Sequence, residues 1–539
     1  MKNKWIIITI IVVFIIKLFI VSGQIINVKG YSHDDGLFVS SAESILSKQW
    51  LGTYNDKTLS KGVAGITLIA ISSISKIPFL LIQQIIYFIV CISIIRMLSN
   101  IIKNKNILLL IFLILLMNPI SYSDAFSFVY RDGLYTCLIM LLISHSFQIF
   151  FNYKEDRKKL LLYSVLFGIT YGLIYLCREE TNSLTPYLIC AGIITLSFIL
   201  FDKKCEYKVQ RILCVIAIPV MISIIMITTV STINYIYYGR FITNDFTSKD
   251  FKDAYGAITR IKQKNYIKRV PLNKESREEL YKISPTFKEL KPFLEGKGKK
   301  YFNNPIEDYQ EGFLYWAIRE AAYELGYYKN AKTSKAFYIK LSKEINNLCD
   351  KKKIECRSKR SSLIAPIYPE TIEELKIFIP KTFYYQITYK NVLVEIPTRK
   401  VSKKQFEKIT HNKAEYDSKD KFKIVIMKKI LKLYKVSNPI LMIASIICYF
   451  FIMIRFLNKN NRIKYYKEII LINGVLGVYL LRIGTIAFVG AAEYTSVLDK
   501  CQYLAPTYPI QSLFSLLTII FATKQIIEMK NKSHNRLIK

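Results

Sequence analysis

The sequence has few acidic residues and few histidines for its size, and these shortages limit what the protein can be. Its 539 residues include 40 Asp and Glu against 77 Lys and Arg, with four His, and the formal net charge is +37. Nucleic-acid-binding proteins often carry such an excess, but here it is spread over many segments without a recognisable nucleic-acid-binding motif. We therefore expect anionic lipid and phosphate-bearing substrates as partners, and no nucleic acid.

A set of zinc ligands is also missing, although the chain contains ten cysteines. Most of them lie inside apolar runs, where a thiol behaves as a small hydrophobic group. Cys349 and Cys356 lie together in a polar region, but zinc would need two more ligands and His411 is far away in sequence. Their spacing is compatible with a loop-closing disulfide, provided that the region faces an oxidising exterior.

Long apolar runs separated by short basic loops dominate the chain, which is 52% hydrophobic. This pattern predicts an all-α, polytopic membrane protein. No small-residue cleavage site follows the first run, so we interpret it as an uncleaved span. The ten predicted spans cover residues 5–21, 78–99, 107–120, 133–151, 160–176, 186–201, 210–236, 437–457, 467–489 and 507–523.

The short loops predict the orientation of these spans. If the N-terminus is cytoplasmic and the apolar segment 62–76 is an interfacial helix, every second loop is rich in Lys and Arg, as cytoplasmic loops are. The basic tail 526–539 is then cytoplasmic as well. We expect a multi-pass protein of the plasma membrane, and the Ile- and Lys-rich composition favours a bacterial source.

The same topology divides the chain into regions. Residues 1–236 form an N-terminal transmembrane region with an outer loop at 25–62, residues 437–525 form a C-terminal transmembrane region, and 237–435 form an extracytoplasmic domain. Helical patterns over 306–348 and β-branched and aromatic enrichment over 377–397 predict an α+β fold for that domain. Trp316 within it could stack on sugar rings, although packing is the more common role of such a residue.

Two adjacent carboxylates, Asp34 and Asp35, follow the first span and begin a short amphipathic helix. They are candidates for catalysis, and adjacent carboxylates tend to raise each other's pKa, which would help one of them act as a base. Helix capping explains them equally well, because Asp is favoured at a helix N-terminus. His33 precedes the pair and could relay a proton, or it could be a surface residue without a role.

Further charged clusters fall on the same predicted outer face. Transfer of a sugar from a phosphate-linked donor needs a carboxylate base and cations that stabilise the departing phosphate. Arg suits a bidentate phosphate contact and Lys a point-charge contact. Each cluster could instead be a solvated helix end. The clusters contain Asp124, Arg131 and Asp132; Arg178, Glu179 and Glu180; and Lys500 with Tyr503.

The order and spacing of these motifs resemble the C-type integral-membrane glycosyltransferase superfamily, in particular its aminoarabinose-transferase and protein O-mannosyltransferase branch. The motifs are Asp-Asp-x-x-Phe-x-x-x-Ala at 34–42, Lys61-Gly, Arg131-Asp132, Arg178-Glu-Glu and Lys500-x-x-Tyr503-x-x-Pro506. The family's last motif usually has Arg-Tyr-x-x-Pro where this chain has Lys500-Cys-Gln-Tyr503. The resemblance covers 1–236 and 437–525 and implies a GT-C fold with a polyprenyl-phosphate sugar as donor.

The resemblance also implies roles for the candidate residues. Asp34 is expected to be the catalytic base and Asp35 the second acid, and a divalent metal is not favoured. The expected donor and phosphate contacts are Lys61, Arg131, Arg178, Lys500 and Tyr503. The expected substrate contacts are His33, Asp124, Asp132, Glu179 and Glu180.

Two functions from different classes are compatible with the sequence. The first is an inverting glycosyltransferase that modifies a cell-surface glycan, lipid or protein on the outer face of the membrane. The alternative is a non-enzymatic flippase of polyprenyl lipids or a polysaccharide exporter. Proteins of that second class usually place charges at mid-bilayer depth along a path, and here the charges lie at span ends.

Overall fold

The computed structural model describes residues 4–29, 34–302, 306–310, 312–364, 366–394, 403–492 and 495–537. Ten of its helices are long and apolar enough to cross a membrane, which confirms the prediction of a polytopic helical protein. The chain is a multi-pass helical membrane protein. The candidate spans are Lys4–Val21, Phe79–Leu98, Lys105–Tyr122, Asp132–Phe151, Arg157–Cys177, Glu179–Phe201, Lys208–Tyr238, Ser418–Phe456, Lys459–Ala492 and Thr507–Asn531.

Contacts between span ends show which connections share an end of the bundle. At one end, Lys423 Nζ donates to Ser22 Oγ at 2.9 Å, so the start of Ser418–Phe456 lies beside the end of the first span. At the opposite end, Arg211 Nη1 donates to the carbonyl of Tyr153 at 2.5 Å, which joins two of the basic loops. Which of the two ends faces the cytoplasm stays a prediction.

Shorter helices fill the connections between the spans. Val63–Ser75 is an apolar helix of 13 residues, and it lies in the segment where we expected an interfacial helix. The remaining short α-helices are Asp34–Leu46, Asp124–Ser127, Lys249–Thr259, Lys274–Ile283, Pro285–Lys288, Lys291–Leu294, Phe313–Glu324, Ala331–Asp350, Pro369–Ile387, Lys404–Thr410 and Cys501–Leu504.

The predicted α+β fold of the insertion is wrong. The described residues contain isolated bridges, Asn27 with Phe128 and Ile261 with Cys356, but no β-strand. Most of the described part of 377–397, where we expected strands, belongs to the helix Pro369–Ile387. This helix lies along the span Lys459–Ala492, where the Tyr479 hydroxyl donates to Gln386 Oε1 at 2.6 Å. Its β-branched and aromatic residues therefore pack a helix against the bundle.

Among the described residues, two large hydrophobic cores form beside two small clusters. The larger core joins the membrane helices and also includes Phe378, Tyr389 and Phe406, so much of the chain after 369 packs with the bundle. The second core lies wholly within residues 246–354 and is helical. We call residues 246–356 the helical unit. A disulfide between Cys349 and Cys356 closes a loop at its end.

Candidate functional site

The two adjacent aspartates have different environments at the start of the helix Asp34–Leu46. The Asp35 side chain is fully buried, and its Oδ2 accepts a hydrogen bond from the backbone N–H of Lys29 at 2.5 Å. The Asp34 side chain is 47% exposed. Phe38 and Ala42 are fully buried one and two turns later and fix this helix on the bundle. Asp35 therefore fixes the backbone at Lys29, while the Asp34 carboxylate is accessible to solvent.

Lys61 pairs with Asp34 because two glycines allow close packing beside it. Lys61 Nζ lies 3.2 Å from Asp34 Oδ1. A Cβ atom on Gly62 would lie 2.4 Å from the carbonyl oxygen of Leu176, closer than any real Cβ contact. A Cβ atom on Gly65 would lie 2.9 Å from the Arg131 Cβ. The Lys-Gly motif thus brings the start of Val63–Ser75 against the segments that carry the arginines.

Arg131 and Arg178 are buried and bonded to acidic residues. Arg131 Nη1 donates to Glu179 Oε1 at 2.9 Å and to the carbonyl of Cys177 at 2.7 Å. Arg178 Nη1 donates to Asp132 Oδ1 at 2.8 Å. Charges of opposite sign therefore alternate across two connections of the bundle, and this compensates the cost of burying them.

Arg482 completes this network, and the sequence analysis missed it. Its side chain is fully buried, and Nη1 lies 3.1 Å from Glu180 Oε1. Glu180 also lies 3.5 Å from Arg178 Nε, so two arginines share one carboxylate. Arg482 Nη2 donates to the carbonyl of Tyr503 at 3.3 Å. A single arginine inside an apolar run is the signal that could have identified it, because a charged residue within a span is usually functional.

Lys29, Lys500 and Asp124 form the other side of the site. Burial lowers the pKa of Lys29, and the nearby charge of Lys500 lowers it further, against the opposing effect of Asp35. Burial raises the pKa of Asp124 to about 6, although the Cys501 thiol donates to its Oδ1 at 2.7 Å. Lys29 lies in the segment that follows the first span, which ends at Val21, and it was not among the predicted residues.

No family model and no curated protein matches the chain. Among solved structures, the chain is similar to the crystal structure of ArnT from Cupriavidus metallidurans bound to undecaprenyl phosphate. The sequence identity is 9% and the TM-score is 0.34, over 96% of this chain and 78% of that chain. ArnT is an aminoarabinose transferase, of the branch that the sequence motifs resemble.

The pKa of Asp34 shifts in the direction opposite to the one that the sequence predicts. Burial raises it, but the charges of Lys61 and Arg131 outweigh burial and hold the pKa of Asp34 below its ordinary value. The Tyr130 hydroxyl contributes a hydrogen bond in the same direction. The expectation that neighbouring carboxylates raise the pKa is wrong for Asp34, because the sequence did not reveal how close the two cations lie. Asp34 is therefore ionised at neutral pH.

The structure brings many of the predicted site residues into direct contact. Tyr503 belongs to this set, since its ring centroid lies 5.5 Å from the Arg178 guanidinium carbon. His33 lies outside the described residues. Cys349 and Cys356 belong to the helical unit and not to this cluster. Within the described residues, no group of three or more His, Cys, Asp or Glu side chains could hold a metal ion.

Proposed function

We propose that the protein is an inverting membrane glycosyltransferase that moves a sugar from a polyprenyl-phosphate donor to an acceptor hydroxyl on the outer face of the membrane. The acceptor is a cell-surface glycan, lipid or protein. The observation that carries the proposal is Asp34: a half-exposed carboxylate, paired with Lys61, at the edge of a buried network of arginines and acids.

In this proposal Asp34 is the general base. The acceptor oxygen forms a bond to C1 of the sugar, the bond from C1 to the phosphate oxygen breaks, and the phosphate keeps the electron pair. The proton of the acceptor hydroxyl passes to Asp34. Glu179 and Glu180 are less suited to this role, because Arg131, Arg178 and Arg482 already bind them.

Lys61 links the base to the leaving group. Its ammonium can move from Asp34 to a donor phosphate, since a Lys side chain is a flexible point charge. Loss of this partner would raise the pKa of Asp34 and make it a better base when the donor is bound. The phosphate would at the same time gain a cation that stabilises the departing charge.

Lys29 and Lys500 are proposed as further cations that bind the donor phosphate, in addition to Lys61. The charge of Lys500 lowers the pKa of Lys29, so an anion beside these two cations would offset their repulsion. The buried arginines are paired with acids, and we assign them to holding the site together and setting its potential. This assignment keeps Lys61 and Lys500 as predicted donor contacts and adds Lys29.

A cleft in the bundle supports a lipid-linked donor. It has a volume of about 510 Å³ and runs between the spans that carry Tyr187, Gly477 and Leu481. Leu481 is the residue before Arg482 in the same span, so the cleft reaches the level of the charged network along the bundle. Its lining is mainly apolar, which suits an isoprenoid chain and does not suit a sugar nucleotide.

Product analysis tests the proposal. The purified protein is reconstituted in vesicles with a polyprenyl-phosphate sugar and a mixture of surface glycans and lipids as acceptors, with protein-free vesicles as control. We expect a new glycosidic bond of inverted anomeric configuration. Movement of chemically unaltered lipid across the bilayer, without any new bond, would instead support the flippase or exporter.

A further inference from the structure

One helix of the helical unit contacts the loop that leads to Lys61. Arg319, on the helix Phe313–Glu324, is fully buried. Its Nε and Nη2 donate to the carbonyl oxygen of Asp56 at 2.8 and 2.5 Å. A buried guanidinium is costly and could be replaced by an apolar residue if only packing were needed. Its hydrogen bonds fix the backbone five residues before Lys61.

The segment that enters the helical unit holds the same loop a second time. The backbone N–H of Asp245 donates to the carbonyl of Leu59 at 2.7 Å. The Tyr54 hydroxyl donates to Asp245 Oδ2 at 3.2 Å. Asn244 Nδ2 donates to Glu179 Oε1 at 3.1 Å, so this segment also reaches the arginine network. The loop between Tyr54 and Leu59 is therefore held both by the helical unit and by the segment that enters it.

Trp316, one turn before Arg319, contacts the Lys61 ammonium itself. Lys61 Nζ lies 5.4 Å from the Trp316 ring centroid and 5.8 Å from that of Tyr130. Phe246 packs edge-on against Trp316 with ring centroids 4.8 Å apart, which fixes the indole. Cation–π contacts of this kind favour one position of the ammonium. In that position Lys61 lies beside Asp34.

We propose that Trp316 and Arg319 are positioning residues for the Asp34–Lys61 pair. The helical unit then contributes to the geometry of the catalytic centre. Arg319 fixes the loop, and Trp316 holds the Lys61 ammonium beside Asp34 until the donor phosphate binds. The proposal rests on the proposed function, in which Lys61 exchanges Asp34 for the donor phosphate. Neither residue touches the reacting atoms in this scheme.

The test compares three variants on the helix Phe313–Glu324. Trp316→Leu removes the aromatic face, Trp316→Phe keeps an aromatic ring, and Tyr323→Leu removes an exposed aromatic side chain elsewhere on the same helix as a control. Each variant is purified and compared at equal amounts of monodisperse protein. The rate of sugar transfer is then measured against donor concentration and against pH.

We expect Trp316→Leu to lower kcat about tenfold, because a misplaced ammonium no longer reaches the donor phosphate whose departing charge it stabilises. The acid limb of its pH profile should move to higher pH, since Asp34 loses part of the Lys61 charge that lowers its pKa. Among the described residues, Lys61, Arg131 and Tyr130 are the groups that act most strongly on Asp34. Trp316→Phe should recover most of the rate, and Tyr323→Leu should match the wild type.

An unchanged kcat and an unchanged acid limb in Trp316→Leu would overturn the positioning role. Absence of any transfer by the wild type would instead overturn the proposed function. In that case the contact between Trp316 and Lys61 is tested by tryptophan fluorescence. Trp5 and Trp50 are the other tryptophans and are replaced by Phe, which leaves Trp316 as the single emitter. A shift in the emission maximum of Trp316 on Lys61→Met supports its contact with the ammonium, and an unchanged emission maximum overturns it.

Discussion

The carboxylates of the site differ in how firmly their neighbours hold them. Asp35 and Asp132 are buried, and Glu180 is shared between two arginines. Asp34 has a single ion-pair partner among the described residues, the flexible Lys61, and nearly half of its side chain is exposed. Its flexible partner and its exposure are the reasons why we propose Asp34, and not the other carboxylates, as the base.

Asp124 leads to a prediction about stability and pH. Burial raises its pKa from 3.8 to about 6, so the folded protein favours the neutral acid. Ionising Asp124 in the folded protein reduces the free energy of unfolding. This loss is absent below pH 4 and reaches its full size once the pH has risen through 6. Two pKa units correspond to about 3 kcal/mol. In Asp124→Asn, unfolding midpoints should therefore fall less between pH 4 and 7 than in the wild type. Equal pH dependence in both proteins would disprove the role of Asp124.

At the scale of elements, the site depends on close approach between the start of Val63–Ser75 and the end of Arg157–Cys177. Gly62 has an ordinary φ of −66°, so its role is space and not backbone freedom. The carbonyl of Leu176 occupies the direction in which a side chain would project. The Lys-Gly motif is therefore a packing requirement that places Lys61 correctly.

Gly62→Ala should consequently displace the helix start. We expect a loss of about 1–3 kcal/mol in stability, as for overpacking elsewhere, together with reduced transfer activity. Thermal unfolding in detergent and the transfer assay measure the two effects. Gly484→Ala is a matched control, because a Cβ atom there meets nothing within 4 Å. If Gly62→Ala behaves like this control, the packing argument fails.

The sequence predicted local features better than contacts between distant segments. Apolar runs identify spans because their length is set by the bilayer, and the motifs at Asp34, Lys61 and Arg178 led to residues of the site. The contact between Trp316 and Lys61 joins residues far apart in the chain, and no local pattern encodes it. The predicted strands over 377–397 failed because β-branched residues also suit a helix that packs against membrane spans.

At the scale of the whole molecule, the protein combines a helical membrane bundle with a helical unit that has its own core. The two meet at the loop around Tyr54, which packs against both cores. After the helical unit the chain returns to the bundle through Pro369–Ile387, which contacts Tyr479 within a span. The chain thus contacts the bundle both before and after the helical unit. This arrangement suits an acceptor that approaches from the side of the helical unit.

The most direct measurement is sugar transfer by Asp34→Asn in sealed vesicles, with the acceptor supplied on the side of the helical unit. Asp253→Asn, on the helix Lys249–Thr259, removes a carboxylate of the helical unit as a control. The account predicts that Asp34→Asn lowers transfer about 10²–10⁴-fold, the usual contribution of a general base, while the control keeps the wild-type rate. Wild-type transfer by Asp34→Asn would contradict the account.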